Sequence, residues 1–472
     1  MLKLNKRVIN LVLCGLWGEL SFGFFSDFNS DYFPVLPVID ESQIILSSST
    51  FNIESIQRQN SNYFRYEIGI DRDTDLPYNY VFIKPDGELF IGFYNTPTDI
   101  GYYFAYLVGV AKGDIKNDLL SSSAAINRLT HALEVLKNAP KKDGLLYWYD
   151  ILSPEVKISP TNNFVSAVDN AFYAASLGLI IGAFVDDINP EAINLVSLAR
   201  ELLEEQRDGW KNLYDSKKKL LLGGYNFKKP EDIYYMDRIY NEGRLATIMA
   251  MVLGDVPQDV WDNLGEFYLE YTLSDGKKIK ILAPWESAFQ AWMPLVFIPE
   301  MEWSPQGFKL AHQRYLSVQR DWANRENMPG LYSECSDPFS KEEYKYITGI
   351  AIPGATEAGA RGKPIRSDIG SVYAIGLAYT IDKRVALDFF EQLSKRFPQL
   401  ITTIGWLDSV GRKGIEPNVS WTTSKAFVGK DQFVLLSALN TEKNHQYFIR
   451  FLEKFGKLDF IKSLYQGKKF SF

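Results

Sequence analysis

Apolar residues recur at helical spacing along most of the chain. Ile126, Leu129, Leu133 and Leu136 fall on one face of a 3.6-residue helix, and Phe308, Ala311, Tyr315, Val318 and Trp322 repeat the pattern. Similar runs predict helices at about 165–183, 243–253, 257–271, 285–296, 368–380, 384–397, 430–440 and 446–456. Asn189-Pro190-Glu191 and Ser304-Pro305 mark two starts, because a capping side chain precedes a proline whose fixed φ and missing N–H suit the first helical position. Before Thr96 the texture differs. From Ser26 to Tyr94 the chain is rich in Asp, Asn, Ser and Pro, and the β-like runs Tyr80–Ile83 and Leu89–Phe93 flank Pro85-Asp86-Gly87, a turn sequence that predicts a hairpin. The expected fold is mostly α, a closed ring of helix pairs, with an irregular, partly β N-terminal extension. No heptad run supports a coiled coil, and no fixed period supports a common solenoid.

The first residues divide off further. Lys3, Lys6 and Arg7 precede a short apolar run from Val8 to Trp17 and the small-x-small sequence Ser21-Phe22-Gly23. This reads as a secretory signal peptide over residues 1–23, with a periplasmic or secreted destination. Its apolar run is too short for a membrane span. Cys14 would allow a lipid anchor, but Leu13 before it is bulkier than such signals use. The boundaries expected are therefore a signal at 1–23, an extension with a β-hairpin at 24–95 and a helical domain at 96–472.

Composition narrows the chemistry. The 472 residues carry 58 Asp and Glu against 51 Lys and Arg, a net charge of −7, with Lys217-Lys218-Lys219 as the longest basic run. Nucleic acid is thereby an unsuitable partner. The histidines are His131, His312 and His445, far apart, and the cysteines are Cys14 and Cys335. Neither a zinc cluster nor thiol redox chemistry is expected, and no metal or cofactor is called for. His312 reads as a core residue and Cys335 as a packing residue. Gly-x-Ser-x-Gly, P-loop and His-Glu-x-x-His patterns are absent. Carboxylates remain, and they stand in loops beside 27 Tyr and 10 Trp. Flat amphipathic rings suit sugar faces, and paired carboxyls cleave glycosidic bonds.

Five segments in order carry a more specific signal. They are Thr96-Pro97-Thr98-Asp99-Ile100-Gly101; Tyr147-Trp148-Tyr149-Asp150 with Phe164-Val165-Ser166-Ala167-Val168-Asp169-Asn170; Glu242-Gly243-Arg244-Leu245 with Gly254-Asp255-Val256-Pro257; Trp285 to Pro294 with Gly330-Leu331-Tyr332-Ser333-Glu334-Cys335; and Gly405-Trp406-Leu407-Asp408 with Gly429-Lys430-Asp431-Gln432. Together they resemble the bacterial glycoamylase-like family, which includes endo-β-1,2-glucanases and the transglycosylase domain of cyclic β-1,2-glucan synthases. The resemblance implies an (α/α)6 barrel with a cleft at one end, and a hydrolase or transglycosylase acting on a β-glucan, with β-1,2 the expected linkage.

It further implies that Glu242 is the general acid and Glu334 the nucleophile or base. Asp150, Asp169, Asn170, Glu286, Asp408 and Asp431 become candidates for gripping sugar hydroxyls. Trp285, Tyr332 and Trp406 become stacking candidates, and Arg244 would orient Glu242 or contact sugar. The plainer readings are helix capping for Asp169 and Asn170 and core packing for the aromatics. One departure stands out: Gln290 occupies a position where relatives tend to carry Glu, with Glu286 four residues earlier. It motivates a second reading, a catalytically silent glycan-binding protein; a polysaccharide lyase on the same toroid is a third. Retention and inversion both remain open, since carboxyl separations of about 5–5.5 Å and 6.5–9.5 Å decide between them.

Overall fold

The computed structural model describes residues 52–152, 158–161, 164–229, 234–414 and 418–472. The expected signal segment, with Cys14 and the cleavage point after Gly23, lies outside the described residues. Helices α1 (Pro97–Ala111), α2 (Ala167–Phe184), α3 (Gly243–Leu253), α4 (Ala288–Trp292), α5 (Tyr373–Tyr379) and α6 (Gly429–Leu439) form the interior and bury almost all their side chains. A helix that is apolar all round must be surrounded by other helices. Accordingly α1 packs on both α2 and α6, α2 on α3, α6 on α5, and α5 on α4. Amphipathic helices Ser122–Lys137, Pro190–Glu204 and Lys383–Arg396 cover α1, α2 and α5 from outside. Helix Thr441–Lys454 approaches α2 so closely that a Cβ on Gly182 would sit 1.8 Å from the Tyr447 carbonyl oxygen. Helix α2 is long and apolar enough to cross a membrane, yet 94% of it is buried inside the protein, as befits a core helix.

The hairpin forms as its turn sequence predicts. Tyr80–Ile83 pairs antiparallel with Leu89–Gly92, and Gly87 takes a φ of 84° in the turn. The first of these strands also pairs with Ala426–Val428, which leads into α6. Helix Ile53–Ser61 packs on α6, and Asn60 and Gln59 accept from the backbone and indole N–H of Trp406. Residues 53–95 are thus tied into the helical body.

Helix starts follow local capping. Thr96 and Asp99 close a capping box around Pro97, and the Asn189 side chain accepts from the Glu191 N–H at 3.1 Å. At Ser304 the chain makes a turn first and the helix begins at Phe308, whose N–H reaches the Ser304 hydroxyl. Three expected helices are corrected. In 257–271 one helical turn, Asp259–Asp262, is followed by a strand, Tyr268–Thr272, paired with Lys278–Leu282. Tyr268, Glu270 and Thr272 alternate with Leu269 and Tyr271, a period of two that a short apolar run does not separate from a helix. In 285–296 Pro294 removes an N–H donor, so α4 gives way to a 3-10 turn at Met293–Val296. In 368–380 the strand Ile369–Ser371 precedes α5.

Candidate active site

The N-terminal ends of the inner helices bring their acidic residues together. Glu242 is the residue before α3, Asp169 lies in the first turn of α2, Asp99 in that of α1 and Asp431 in that of α6. Unpaired N–H groups at a helix start favour negative charge, which explains why carboxylates are tolerated there. A cleft of about 680 Å³, counting its open mouth, is lined by Val168, Tyr234 to Arg238, Asn241 to Gly243, Trp285, Glu286, Gln290 and Thr348.

Two carboxyls face this cleft. Burial pushes Glu242 up to about 8, and the negative charge of Glu334 adds to the effect; one of its oxygens, Oε2, is buried without a hydrogen-bond partner. Glu286 rises to about 7, again by burial first and Glu334 second, with the Trp285 side chain donating to it. At neutral pH Glu242 therefore holds a proton. Glu334 lies behind the cleft lining with 2% of its surface exposed. Its Oε1 accepts from the Lys430 ammonium at 2.6 Å and the Tyr346 hydroxyl at 3.1 Å. Lys430 also donates to the Tyr346 hydroxyl at 2.6 Å and stands 3.7 Å from Asp431.

Further carboxyls surround that lysine. Asp431 is pushed well up by burial and by the adjacent Asp408, while Asp408 accepts from the Ser336 N–H at 2.6 Å. Two neighbouring buried carboxyls cannot both ionise. Asp169 accepts from the Thr98 hydroxyl at 2.5 Å and the Trp148 indole N–H at 2.8 Å, and burial raises it. Asp99 rises to about 6 by burial, held back by donors from Asn79 and Thr96.

The remaining sequence candidates stand elsewhere. Arg244 is wholly buried and forked onto Glu300 at 2.7 and 2.9 Å, and it acts on Glu242 only through its charge, which opposes the upward push of burial on that carboxyl. Asn170 is a clamp, bonded to the Leu146 N–H and carbonyl and to the Ser166 carbonyl. Tyr332 and Trp406 are fully buried in the core, Trp406 edge-on to Phe390. Asp150 sits on the strand Tyr149–Ile151 opposite Tyr94, outside the cleft lining. Trp285 does line the cleft, with the Arg238 guanidinium 4.8 Å from its ring centre. Gln290 closes a capping box by accepting from the Ser287 N–H at 2.7 Å and hydroxyl at 3.1 Å. Among the described residues no group of three or more His, Cys, Asp or Glu side chains is arranged to hold a metal ion.

Lys430, Tyr346 and Arg238 were not singled out from the sequence. For Lys430 a signal existed: a lysine between Phe427-Val428 and Phe433-Val434-Leu435 stands in an apolar helix start and needs a buried partner. For Arg238 and Tyr346, in loop and short strand, no periodicity could have marked them.

Solved structures with this arrangement of helices exist. The endo-β-1,2-glucanase of Talaromyces funiculosus in complex with sophorose superposes with a TM-score of 0.75 at 14% identity, over 90% of this chain and 92% of that one. The endo-β-1,2-glucanase of Chitinophaga pinensis, with sophorotriose and glucose, gives 0.64 at 14% identity over 88% and 98%. A β-1,2-glucanase from Parabacteroides distasonis gives 0.61 at 10% identity over 89% and 60%. The chain has the fold of these glucanases. No family model and no curated protein matches its sequence.

Proposed function

We propose that the protein is a glycoside hydrolase acting on a β-glucan, with β-1,2 linkages the preferred substrate, on helices closed into an (α/α)6 barrel. The observation that carries this reading is the pairing of a protonated Glu242 in the cleft with a charge-paired Glu334 behind it. Glu242 supplies the proton to the leaving glycosidic oxygen, the task for which a carboxyl raised to about 8 is suited at neutral pH. Glu334, paired with Lys430, serves as the carboxylate. A nucleophile must touch the anomeric carbon, whereas a base can act through water; 2% exposure and a place outside the cleft lining favour the base. Inverting hydrolysis follows, and it leaves no glycosyl-enzyme for an acceptor sugar to intercept. Gln290 does not argue for a silent protein, because its carbonyl oxygen fills a capping role and both Glu242 and Glu334 are present. The basic start and short apolar run of the first 23 residues support export, testable by mass spectrometry of the N-terminus in envelope fractions.

The deciding experiment is incubation with linear β-1,2-glucan and a panel of other glucans, with the anomer of the first product read by NMR. Product of inverted configuration from β-1,2-glucan is expected. Retained configuration removes Glu334 as base, and no cleavage of any glucan removes the enzyme reading.

A further inference from the structure

Among the described residues Arg238 is the one cationic side chain of the cleft lining, and its surroundings fix it in place. Its Nε and Nη2 fork onto Glu357 at 2.7 and 3.0 Å, and its Nη1 bonds Asp237. Glu357 is 2% exposed and belongs to a short helical turn whose N–H groups bond the carbonyls of Pro284 and Trp285 at 2.9 and 2.8 Å. The guanidinium carbon thus stands over the Trp285 ring because one helical turn holds both partners, Arg238 through the Glu357 carboxylate and Trp285 through its backbone carbonyl. A guanidinium has five N–H donors, and three are used here, so two remain. A fork locked by a buried carboxylate loses little further freedom on binding, and a quarter of the side chain is open.

We propose that Arg238, with Asp237 beside it, is a sugar-binding wall of the cleft: the two spare N–H groups donate to one hydroxyl oxygen of a neutral pyranose while Asp237 accepts from a neighbouring hydroxyl. A donor–acceptor pair this close matches vicinal hydroxyls, the chemistry of a glycan. Trp285, covered by Arg238 on one face, backs this wall.

The assignment rests on the glycan reading of the cleft, and binding tests it apart from catalysis. Glu242→Gln protein, which lacks the transferable proton, is titrated calorimetrically with a β-1,2-linked glucooligosaccharide, then again with Arg238→Met, Arg238→Lys or Arg361→Met added. Arg238→Met should weaken binding at least about tenfold, since hydrogen bonds from charged groups are lost. Arg238→Lys should restore part of it. Folding should survive, because Arg361 still pairs with Glu357 at 2.7 Å. Arg361→Met, away from the cleft lining, should bind like its parent. Undiminished binding by Arg238→Met overturns the proposal, and so does an equal loss in Arg361→Met, which would trace the effect to Glu357. Absence of glycan binding by the Glu242→Gln parent overturns the glycan reading itself and this wall with it.

Discussion

Two buried charged clusters begin two residues apart, at Glu242 and at Arg244, and they are built on opposite lines. Around Arg244 every strong group is answered. Glu300 takes the arginine fork, the His312 Nε2 at 2.9 Å and the Tyr465 hydroxyl at 3.0 Å, while the Tyr240 hydroxyl meets His312 Nδ1 at 3.0 Å. Arg244 and His312 overcome the burial of Glu300 and hold its carboxyl down at about 2, and burial pushes His312 down, consistent with a neutral ring bridging Tyr240 and Glu300. Around Glu242 an oxygen is left unanswered, and the carboxyls of Glu242 and Glu286 move up to about 8 and 7. Burial is common to both clusters. What separates a structural charge cluster from a reactive one is whether the protein itself supplies the partners or leaves them to a ligand.

Breaking each cluster should have opposite consequences. Glu242→Gln should lower kcat on β-glucan about 10² to 10⁴-fold, the usual range for a positioned acid, while circular dichroism shows an intact fold. Wild-type turnover in that variant would move the acid role to Glu286. Arg244→Met should cost about 3–5 kcal/mol of stability in denaturant titrations, because it strands Glu300 in the interior. A loss under about 1 kcal/mol would show that His312 and Tyr465 suffice.

Acidity sharpens the contrast. Glu242 lies above its ordinary 4.5, so the stability it contributes is full below pH 4.5 and is lost as pH rises toward about 8. Glu300 lies below 4.5, so its contribution is full above that pH and is lost as pH falls toward about 2. Thermal melts should therefore show Glu242→Gln more stable than wild type at pH 8 and equal to it at pH 4, whereas a Glu300→Gln loss should shrink from pH 7 to pH 3. The rate on glucan should fall above about pH 8 as Glu242 loses its proton. A rate that keeps rising through pH 9 would exclude Glu242 as the acid. The smallest effect is expected at Gln290: replacing it by Ala removes the capping box with Ser287 and should cost about 1 kcal/mol in the same melts.

Much of this was legible along the chain. The 3.6-residue periods of Ser122–Lys137 and Phe308–Arg325, the capped start at Asn189 and the Pro85-Asp86-Gly87 turn act over a few residues, and the structure follows them, whereas at Ser304-Pro305 a turn delays the helix to Phe308. Where two local readings compete, as at Tyr268–Thr272, a strand partner ten residues on decided the outcome.

Local forces therefore account for the helices, their caps and the apolar faces that make them pack. They also place carboxylates at helix starts, where unpaired N–H groups welcome them. They do not say which charged residue meets which. Glu242 and Arg244 are near neighbours in sequence, yet α3 turns one into the cleft and the other into the core. Lys430 reaches Glu334 across 96 positions, and Arg238 reaches Glu357 across 119. Pairings at that distance depend on how whole helices pack, and the charge states of Glu242 and Glu286 depend on the low-dielectric space that packing encloses.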